Sequence, residues 1–320
     1  MNPELTEKTM KAILGTMTFG NQVDQQHAAT MIQRFVNAGG QELDTAYVYI
    51  EGKTEELLGE LKQRGELDEC QIATKVNPKE GGLGTSSVNQ QFTTSLRRMH
   101  MQSVDMLYLH QPDLDTPIVE TLNAVQDLAA SGKLKRFGLS NYAAWQVAQI
   151  YELCDKNGWI KPTVYQGMYN AITRDVEREL LPCLADYAMA FYVYNPLAGG
   201  LLTGKHQQLE ANPAPGRFDG NAEYQRRYWN SAYFDAVKRF CNVCEQEDID
   251  PANAAIRWLV HHSDLQANKQ DGVIIGASSI EHFDTNHAAM GDEPLPDNIV
   301  ESLQEGWEAA RPVCIKYFRP

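Results

Sequence analysis

The sequence predicts an α/β protein of the (β/α)8 TIM-barrel class. Three observations lead to this prediction: short apolar runs alternate with segments of helical spacing, there are eight such runs, and no linker rich in Pro, Gly or Ser divides the chain. Strands that alternate with helices form a parallel sheet with the helices outside, and eight such units suit a barrel. We therefore expect residues 1–320 to form a single barrel domain. The predicted strands are residues 12–15, 42–44, 71–75, 104–110, 136–140, 163–166, 190–195 and 272–276.

The segments between the strands carry apolar residues at every third or fourth position, which is typical of helices packed on a sheet. In residues 118–130, for example, Val119, Leu122, Val125 and Leu128 share one side. Two stretches, residues 206–228 and the tail after Pro294, show no regular pattern. The first is too long for an ordinary connection, so we expect a functional loop on the carboxyl-terminal face of the barrel.

Composition and charge exclude several classes of function. The chain has 43% hydrophobic residues, and 28 basic against 42 acidic residues give a net charge of −14. Such an acidic surface argues against binding to nucleic acid or to an anionic membrane. No apolar run is long enough to span a bilayer, and the first residues lack the charged-then-apolar pattern of a secretion signal. We expect a cytoplasmic protein.

The cysteines predict no metal site. Cys241 and Cys244 form the only CxxC pair, within an apparent helix at residues 234–247, and no second pair of ligands has finger-type spacing. We interpret both as structural thiols.

Four polar residues are predicted to meet on one face of the barrel. Asp44, Lys75 and His110 each close a predicted strand, and Tyr49 follows Asp44 by five residues. Barrel active sites lie at the carboxyl ends of the strands. Taken singly, Asp44 has a simpler explanation as a turn or cap residue, and Lys75 as its satisfied ion-pair partner. Together, a tyrosine, a lysine, a carboxylate and a histidine form a proton-donor set for a carbonyl oxygen, which predicts a carbonyl reductase.

The residue types also predict a mechanism. A nearby ammonium favours phenolate, so Lys75 is expected to lower the pKa of Tyr49 from its usual value of about 10. Asp44 would hold that ammonium, His110 would orient the carbonyl, and Tyr49 would donate the proton. Protein side chains cannot supply hydride, so a nicotinamide cofactor is implied.

Further polar residues follow the later strands, but none forms a dinucleotide fingerprint. Without a strand–GxGxxG–helix sequence, a Rossmann site is disfavoured. Gly199 to Lys205 has the spacing GxxxxGK, yet His206 replaces the Ser or Thr that would hold magnesium. Its glycines and Lys205 suit a pyrophosphate, with Arg217 as a candidate for a further phosphate. The other residues at or just after the ends of predicted strands five to eight are Ser140, Asn141, Gln166, Asn195, Pro196, Gly276, Ser278 and Ser279.

The chain resembles the aldo-keto reductases, most closely the branch of aflatoxin-aldehyde and succinic-semialdehyde reductases. The resemblance covers nearly the whole chain, and the segments that carry it are residues 14–20, 44–49, 73–75, 108–110, 138–145, 164–171 and 195–205. It implies a (β/α)8 barrel with a carboxyl-terminal tail over the site, reduction of aldehydes with NADPH, and a homodimer. It also implies that Tyr49 is the proton donor, with Asp44, Lys75 and His110 as its partners.

The resemblance assigns the remaining site residues. Tyr224, Arg227 and Arg319, together with His110, are expected to contact the substrate, because a guanidinium binds a carboxylate through two parallel hydrogen bonds. His282 and Asn286 are expected near the 2′-phosphate of NADPH. The expected cofactor contacts are Met17, Asp44, Ser140, Asn141, Gln166, Asn195, Pro196, Leu197, Ala198, Gly199, Gly200, Leu201, Leu202, Thr203, Gly204, Lys205, Arg217, Gly276, Ser278, Ser279, His282 and Asn286.

Alternatives to the reductase remain open at the level of the sequence. One is a nucleotide-binding, redox-sensing subunit with little turnover, and another is a metal-assisted barrel hydrolase that uses Asp44 and His110. Arg226 and Arg227, with Tyr224 and Tyr228, also fit the start of an ordinary solvated helix. His261 and His262 fit a helix carboxyl terminus, where they complement the dipole.

Overall fold

The computed structural model describes residues 9–206, 208–213 and 216–319. Within these ranges, parallel strands pair in chain order, and β8 pairs back to β1 to close the ring. The (β/α)8 TIM barrel is therefore confirmed. The strands are β1 Lys11–Gly15, β2 Glu42–Asp44, β3 Gln71–Val76, β4 Val104–Leu109, β5 Leu134–Ser140, β6 Pro162–Met168, β7 Ala190–Tyr194 and β8 Gly272–Gly276.

All eight predicted strands are present, with ends that differ by a residue or two. The first residues, on which the expectation about targeting rests, lie outside the described residues, as does Pro320. That residues 1–320 form a single domain stays a prediction. No helix in the described part of the chain is both long and apolar enough to cross a membrane.

Helices surround the barrel. The first begins at Asp24, whose carboxylate accepts a hydrogen bond from the His27 backbone N–H, and it buries Met31, Ile32 and Phe35 against the strands. The α-helices are α1 Gln25–Asn37, α2 Lys53–Gln63, α3 Thr85–Arg98, α4 Ile118–Ala130, α5 Ala144–Asn157, α6 Leu180–Asp186, α7 Ala222–Tyr228, α8 Ser231–Gln246, α9 Pro251–His261, α10 Ile280–Ala288 and α11 Asp297–Ala310.

The barrel interior is packed with side chains, as expected for a barrel of this size. Tyr108 fits there because Gly138 lies opposite: a Cβ at Gly138 would approach the Tyr108 ring to 2.4 Å. The interior is therefore a core and not a channel, and a ligand has access only at the strand ends. The interior cluster comprises Ile13, Ala73, Met106, Tyr108, Val164, Ala190, Tyr192 and Ile274.

The amino-terminal end of the barrel is closed by charged residues. Glu42 is only 3% exposed and accepts hydrogen bonds from Lys11 and from the Tyr192 hydroxyl at 3.3 Å, and it lies 2.9 Å from an Arg136 guanidinium nitrogen. These charged contacts are expected to contribute to stability and not to catalysis, since barrel chemistry takes place at the opposite face.

The prediction that the tail is irregular was wrong. Helix α11 occupies residues Asp297–Ala310 and packs on α8 with Ile299, Leu303 and Trp307 buried. Its close approach depends on Gly306, where a Cβ would lie 3.2 Å from the Cβ of Ala236. The apolar residues of this tail do recur at helical spacing, a pattern that the sequence interpretation overlooked.

The long loop was predicted correctly over most of its length. Residues 206–221 contain no α-helix where described, and α7 begins only after Asn221, whose side chain accepts a hydrogen bond from the Tyr224 backbone N–H.

Cys241 and Cys244 lie on α8 as predicted, and both are free thiols. His261 ends α9 and His262 caps it.

Candidate active site

A buried ion pair forms the base of the site. Lys75 is inaccessible to solvent, and its Nζ donates to Asp44 Oδ2 at 2.6 Å and to the Thr45 carbonyl at 2.7 Å. The two side chains come from adjacent strands, β3 and β2, at the carboxyl end of the barrel. Lys75 and Asp44 are thus a satisfied pair, and they are also placed to act on a neighbouring group.

That neighbouring group is Tyr49. Its hydroxyl oxygen lies 3.3 Å from Lys75 Nζ, which is also 4.9 Å from the centre of the Tyr49 ring. Tyr49 begins a short 3₁₀ turn in which Ile50 and Glu51 have φ angles of 47° and 56°. Positive φ at a β-branched residue is a real outlier, of the kind that persists where the surroundings enforce it.

Arg98 supplies part of that enforcement. From α3 its guanidinium donates to the Tyr47 carbonyl at 3.0 Å, lies 4.6 Å from the centre of the Tyr47 ring, and pairs with buried Glu55 at 3.1 Å. Glu55 also accepts from Thr74 at 2.7 Å. The loop that presents Tyr49 is therefore fixed to the helices behind it.

The prediction that the pKa of Tyr49 is lowered was wrong. Burial, and then the charge of Asp44, raise the pKa of Tyr49 well above its ordinary value, and Arg217 opposes this only in part. Burial likewise lowers the pKa of Lys75, against the influence of Asp44. Desolvation is the largest of these effects, so Tyr49 holds its proton firmly at neutral pH.

His110 lies beside Tyr49 as a neutral imidazole. The two rings meet edge to face with centres 6.0 Å apart. Burial, followed by the charges of Lys75 and Arg319, lowers the pKa of His110 from 6.5 to about 3. His110 directly follows β4, on the same face as Asp44 and Lys75. The four predicted residues are thus brought together.

Asn77 determines which ring nitrogen of His110 carries the proton. Asn77 Oδ1 accepts from the Lys79 backbone N–H at 3.0 Å, so its amide nitrogen faces His110 Nδ1, at 3.3 Å. An amide N–H can only donate, so Nδ1 accepts and the proton of the neutral ring resides on Nε2. His110 is left with one hydrogen-bond donor, Nε2–H.

The predicted nicotinamide residues lie on the same face. Gln166 Nε2 donates to Asp44 Oδ1 at 2.7 Å, which occupies the carboxylate oxygen that Lys75 does not use. Asn141, with φ at 63°, donates to the His110 carbonyl at 2.8 Å and to Ser140 Oγ at 3.0 Å. Gln166 and Asn141 are therefore bonded directly to catalytic candidates, and Ser140 is linked to them through Asn141.

The segment 195–205 forms a left-handed turn after β7. Asn195, Ala198, Gly199, Gly200 and Gly204 have positive φ, and Asn195 Oδ1 accepts from the Gly199 backbone N–H at 2.6 Å. A Cβ at Gly200 would meet nothing within 4 Å, so a ligand can approach the backbone there. Successive residues of this kind make concave sites that bind anions.

Three residues of this segment that are predicted to contact the cofactor can do so only through main-chain atoms. The side chains of Ala198, Leu201 and Leu202 are buried in the hydrophobic core between the strands and helices. They can contact a ligand only through backbone atoms. The remaining predicted contacts of the segment are Asn195, Pro196, Leu197, Gly199, Gly200, Thr203, Gly204 and Lys205.

Two further groups of predicted cofactor residues also cluster. Arg217 of the long loop contacts the Met17 sulfur at 3.0 Å, which joins the loop after β7 to the segment after β1. Beyond β8 and Gly276, Ser278 Oγ lies 3.1 Å from His282 Nδ1, and Ser279 caps α10. Asn286 is buried one turn further along that helix. A helix amino terminus of this kind suits a phosphate.

The predicted substrate residues converge, and they do not form an ordinary solvated helix. Arg226 is exposed, but Arg227 is only 7% exposed and lies 4.9 Å from the centre of the Tyr224 ring. The Arg319 backbone N–H donates to the Asn141 carbonyl at 2.9 Å, so the tail reaches the site as expected. Both guanidiniums bond to Glu223.

Sequence interpretation missed several members of the site. Asn77 and Tyr194 lie at or just after strand ends, a position that could have identified them; the Tyr194 hydroxyl donates to Asn141 Oδ1 at 2.8 Å. Glu223 stands four residues before Arg227, the spacing of a helical ion pair. Among the described residues, no three His, Cys, Asp or Glu side chains are grouped as metal ligands would be.

Comparison with known proteins gives consistent matches. A model of the Aldo/keto reductase family matches residues 11–308. Aflatoxin B1 aldehyde reductase member 2 of Rattus norvegicus is 46% identical over 96% of this chain and 87% of its own length. Human aldo-keto reductase family 7 member A3 is 43% identical over the full length of both chains, and an aldo-keto reductase of Pseudocercospora fijiensis is 40% identical over 90% of this chain.

Proposed function

The chain belongs to the aldo/keto reductase family and is an oxidoreductase that acts on carbonyl groups; on this basis we propose that it reduces aldehydes to alcohols with NADPH, with acidic aldehydes and dicarbonyls as preferred substrates. The observation that carries the proposal is the contact of Tyr49 with the buried Lys75–Asp44 pair, with the neutral His110 ring at its edge. An aldehyde oxygen placed between Tyr49 and His110 would accept one hydrogen bond from the Tyr49 hydroxyl and one from Nε2–H of His110.

Each of these residues has a separate role. Tyr49 transfers its hydroxyl proton to the carbonyl oxygen, and the Lys75 ammonium stabilises the phenolate that remains. This stabilisation matters because the pKa of Tyr49 is raised by burial in the free site. Asp44 keeps the ammonium in place, and Nε2–H of His110 orients the oxygen. General-acid assistance of this kind typically contributes ~10²–10⁴ in rate.

The residues present fit a nicotinamide dinucleotide. Bound NADPH supplies hydride to the carbonyl carbon. Ser140, Asn141 and Gln166 would hold the nicotinamide amide, and the open backbone at Gly200 with Arg217 would hold the pyrophosphate. The amino terminus of α10, with Ser278 and His282, would hold the 2′-phosphate. Gln166 is only 3% exposed and its amide donates to Asp44 Oδ1, so its orientation is fixed before a cofactor binds.

The arginines support the preference for acidic aldehydes. Arg227 and Arg319 lie beside the mouth of the site, and a guanidinium binds a carboxylate with directional, charge-assisted hydrogen bonds. Aflatoxin B1 aldehyde reductases among the relatives are consistent with aldehyde substrates in general.

The test is the initial rate of oxidation of NADPH and of NADH, with succinic semialdehyde, 2-carboxybenzaldehyde and uncharged benzaldehyde. Rapid loss of NADPH, with a lower KM for the acidic aldehydes, is the expected result. Binding of NADPH without turnover of any aldehyde would contradict the proposal and favour the redox-sensing subunit instead. Equal rates with both cofactors would contradict the assigned 2′-phosphate site alone.

We further propose that the enzyme is a cytoplasmic homodimer; the homodimer rests on the resemblance to its branch of the family. Light scattering of the purified protein should give twice the monomer mass of 35.9 kDa. A monomer mass across the working concentration range would contradict the homodimer and leave the catalytic proposal intact.

A further inference from the structure

A single carboxylate bridges the two arginines at the mouth of the site. Oxygen Oε1 of Glu223 accepts a hydrogen bond from the Nη2 group of Arg227 and another from the Nη2 group of Arg319. Glu223 and Arg227 lie four residues apart on α7, whereas Arg319 belongs to the tail that follows α11. One oxygen atom therefore links two elements that are distant in sequence.

The bridge lies next to the reacting residues. The Arg319 backbone N–H donates to the Asn141 carbonyl at 2.9 Å, and Asn141 in turn bonds to the His110 carbonyl. The charge of Arg319 acts on His110, and those of Arg227 and Arg319 act on Tyr194, whose hydroxyl bonds to Asn141. Glu223 is consequently part of the substrate entrance, not of a remote surface.

Glu223 has the chemistry of the ligand that these arginines are expected to bind. A substrate carboxylate would need the same guanidinium N–H groups that Glu223 already engages. With Glu223 charged, the three side chains carry a net charge of +1; without it, Arg227 and Arg319 would present +2 to an incoming anion. Burial alone would raise the pKa of Glu223, but the hydrogen bond from Arg319 and the charge of Arg227 hold that pKa below its ordinary value. Glu223 is therefore ionised at neutral pH.

We propose that Glu223 is a specificity-determining residue. Its carboxylate occupies Arg227 and Arg319, and an anionic aldehyde must displace it from them. Glu223 therefore reduces the preference of the enzyme for acidic over neutral aldehydes. The inference rests on the proposed function, because it takes acidic aldehydes to bind at these arginines. Glu223 does not touch the reacting atoms, and it acts through the two guanidiniums.

A purely structural role makes the opposite prediction. Arg227 is largely buried, and removal of the partner of a buried charge usually destabilises a protein. If Glu223 serves only to hold the arginines in place, its loss would disorder them and weaken the binding of acidic aldehydes. The two roles therefore differ in the sign of the effect on acidic substrates.

The variant that separates them is Glu223→Gln, which keeps the shape and an acceptor oxygen but removes the charge. The ratio of KM for 2-carboxybenzaldehyde to KM for benzaldehyde should fall by about fivefold to tenfold, within the range of one charge-assisted contact at a partly exposed site. This fall in the KM ratio should become smaller as the NaCl concentration is raised, because salt screens exposed charges. Asp219→Asn removes the same charge from an exposed residue of the loop that precedes α7, and it should leave the ratio unchanged.

A second measurement does not depend on turnover. Succinate and benzoate should raise the unfolding temperature of Glu223→Gln more than that of the original protein, since a ligand stabilises the state that it binds. An unchanged or increased KM ratio, together with equal anion-induced shifts in the two proteins, would overturn the inference. If neither protein reduces any aldehyde, the proposed function fails, and the anion-induced shifts still decide the role of Glu223.

Discussion

At the scale of single residues, the site depends on how a buried charge is satisfied. Lys75 has no contact with solvent, and an isolated ammonium in such a place would lose its proton. Asp44 and the Thr45 carbonyl offset part of the cost of its desolvation, and Gln166 occupies the second Asp44 oxygen. The charges are therefore fixed before any substrate arrives, which is the arrangement that electrostatic catalysis requires.

Replacing Tyr49 with phenylalanine should remove the proton donor and little else. We expect Tyr49→Phe to lower kcat for aldehyde reduction by about 10²–10⁴, because the ring and its packing against His110 remain while the hydroxyl is lost. Fluorescence titration with NADPH should give an unchanged Kd. Full activity in this variant would show that another group donates the proton.

His110 should affect stability as the pH falls. Its pKa is about 3 in the folded protein and 6.5 when unfolded, so below pH 6.5 only the unfolded state gains the proton. This lost stability should accumulate at no more than about 1.4 kcal/mol per pH unit down to pH 3. Urea unfolding at pH 7 and pH 5 should show a smaller difference for His110→Gln than for the original protein. Equal differences would mean that His110 is protonated in the folded state.

At the scale of elements, the loop after β2 and helix α3 act together. The strained turn at Ile50 and Glu51 presents Tyr49, and Arg98 holds the turn through the Tyr47 carbonyl and Glu55. Such strain persists only if neighbouring contacts compensate for it. The position of the proton donor thus depends on a helix that does not line the site.

Removal of Arg98 should weaken both the fold and the placement of Tyr49. Arg98→Ala leaves Glu55 buried without its cation, so we expect about 3 kcal/mol less stability in urea unfolding. We also expect kcat to fall about tenfold, which corresponds to about 1.4 kcal/mol in the barrier, with a smaller change in KM. Arg97→Ala is the matched control, since Arg97 is exposed on the same helix. Unchanged kcat in folded Arg98→Ala would contradict a positioning role.

The elements of the barrel were predictable because each strand is short, apolar and followed by helical spacing. The same logic placed Asp44, Lys75 and His110 on one face, since parallel strands share their carboxyl ends. It could not predict the positive φ angles at Ile50 and Glu51, because these depend on tertiary contacts and no turn-forming residue marks them. Nor could it predict the direction of the shift in the pKa of Tyr49, which depends on how far the folded site removes the hydroxyl from water.

At the scale of the whole molecule, the two ends of the barrel have different tasks. The carboxyl end carries the candidate site and its loops. The amino end carries Glu42, which is bonded to Lys11, Tyr192 and Arg136. Changes at the amino end should therefore affect stability without affecting chemistry.

Glu42→Gln tests this division. We expect a loss of about 2 kcal/mol in urea unfolding, because Lys11 and Arg136 lose their shared carboxylate in a partly buried place. The kcat for aldehyde reduction should be unchanged at a temperature where the variant is folded. A large loss of kcat in the folded variant would show that the two ends of the barrel are coupled.

The pairing of β1 with β8 has a consequence for how the protein is made. Lys11 pairs with Gly272, so the first strand acquires its second neighbour only after residue 272 has left the ribosome. The Arg319 N–H that bonds to Asn141 emerges later still. Contacts between such distant parts of a sequence form slowly, and incomplete chains expose unpaired strands. Until β8 and then Arg319 have emerged, a nascent chain has first no closed ring and then no finished pocket.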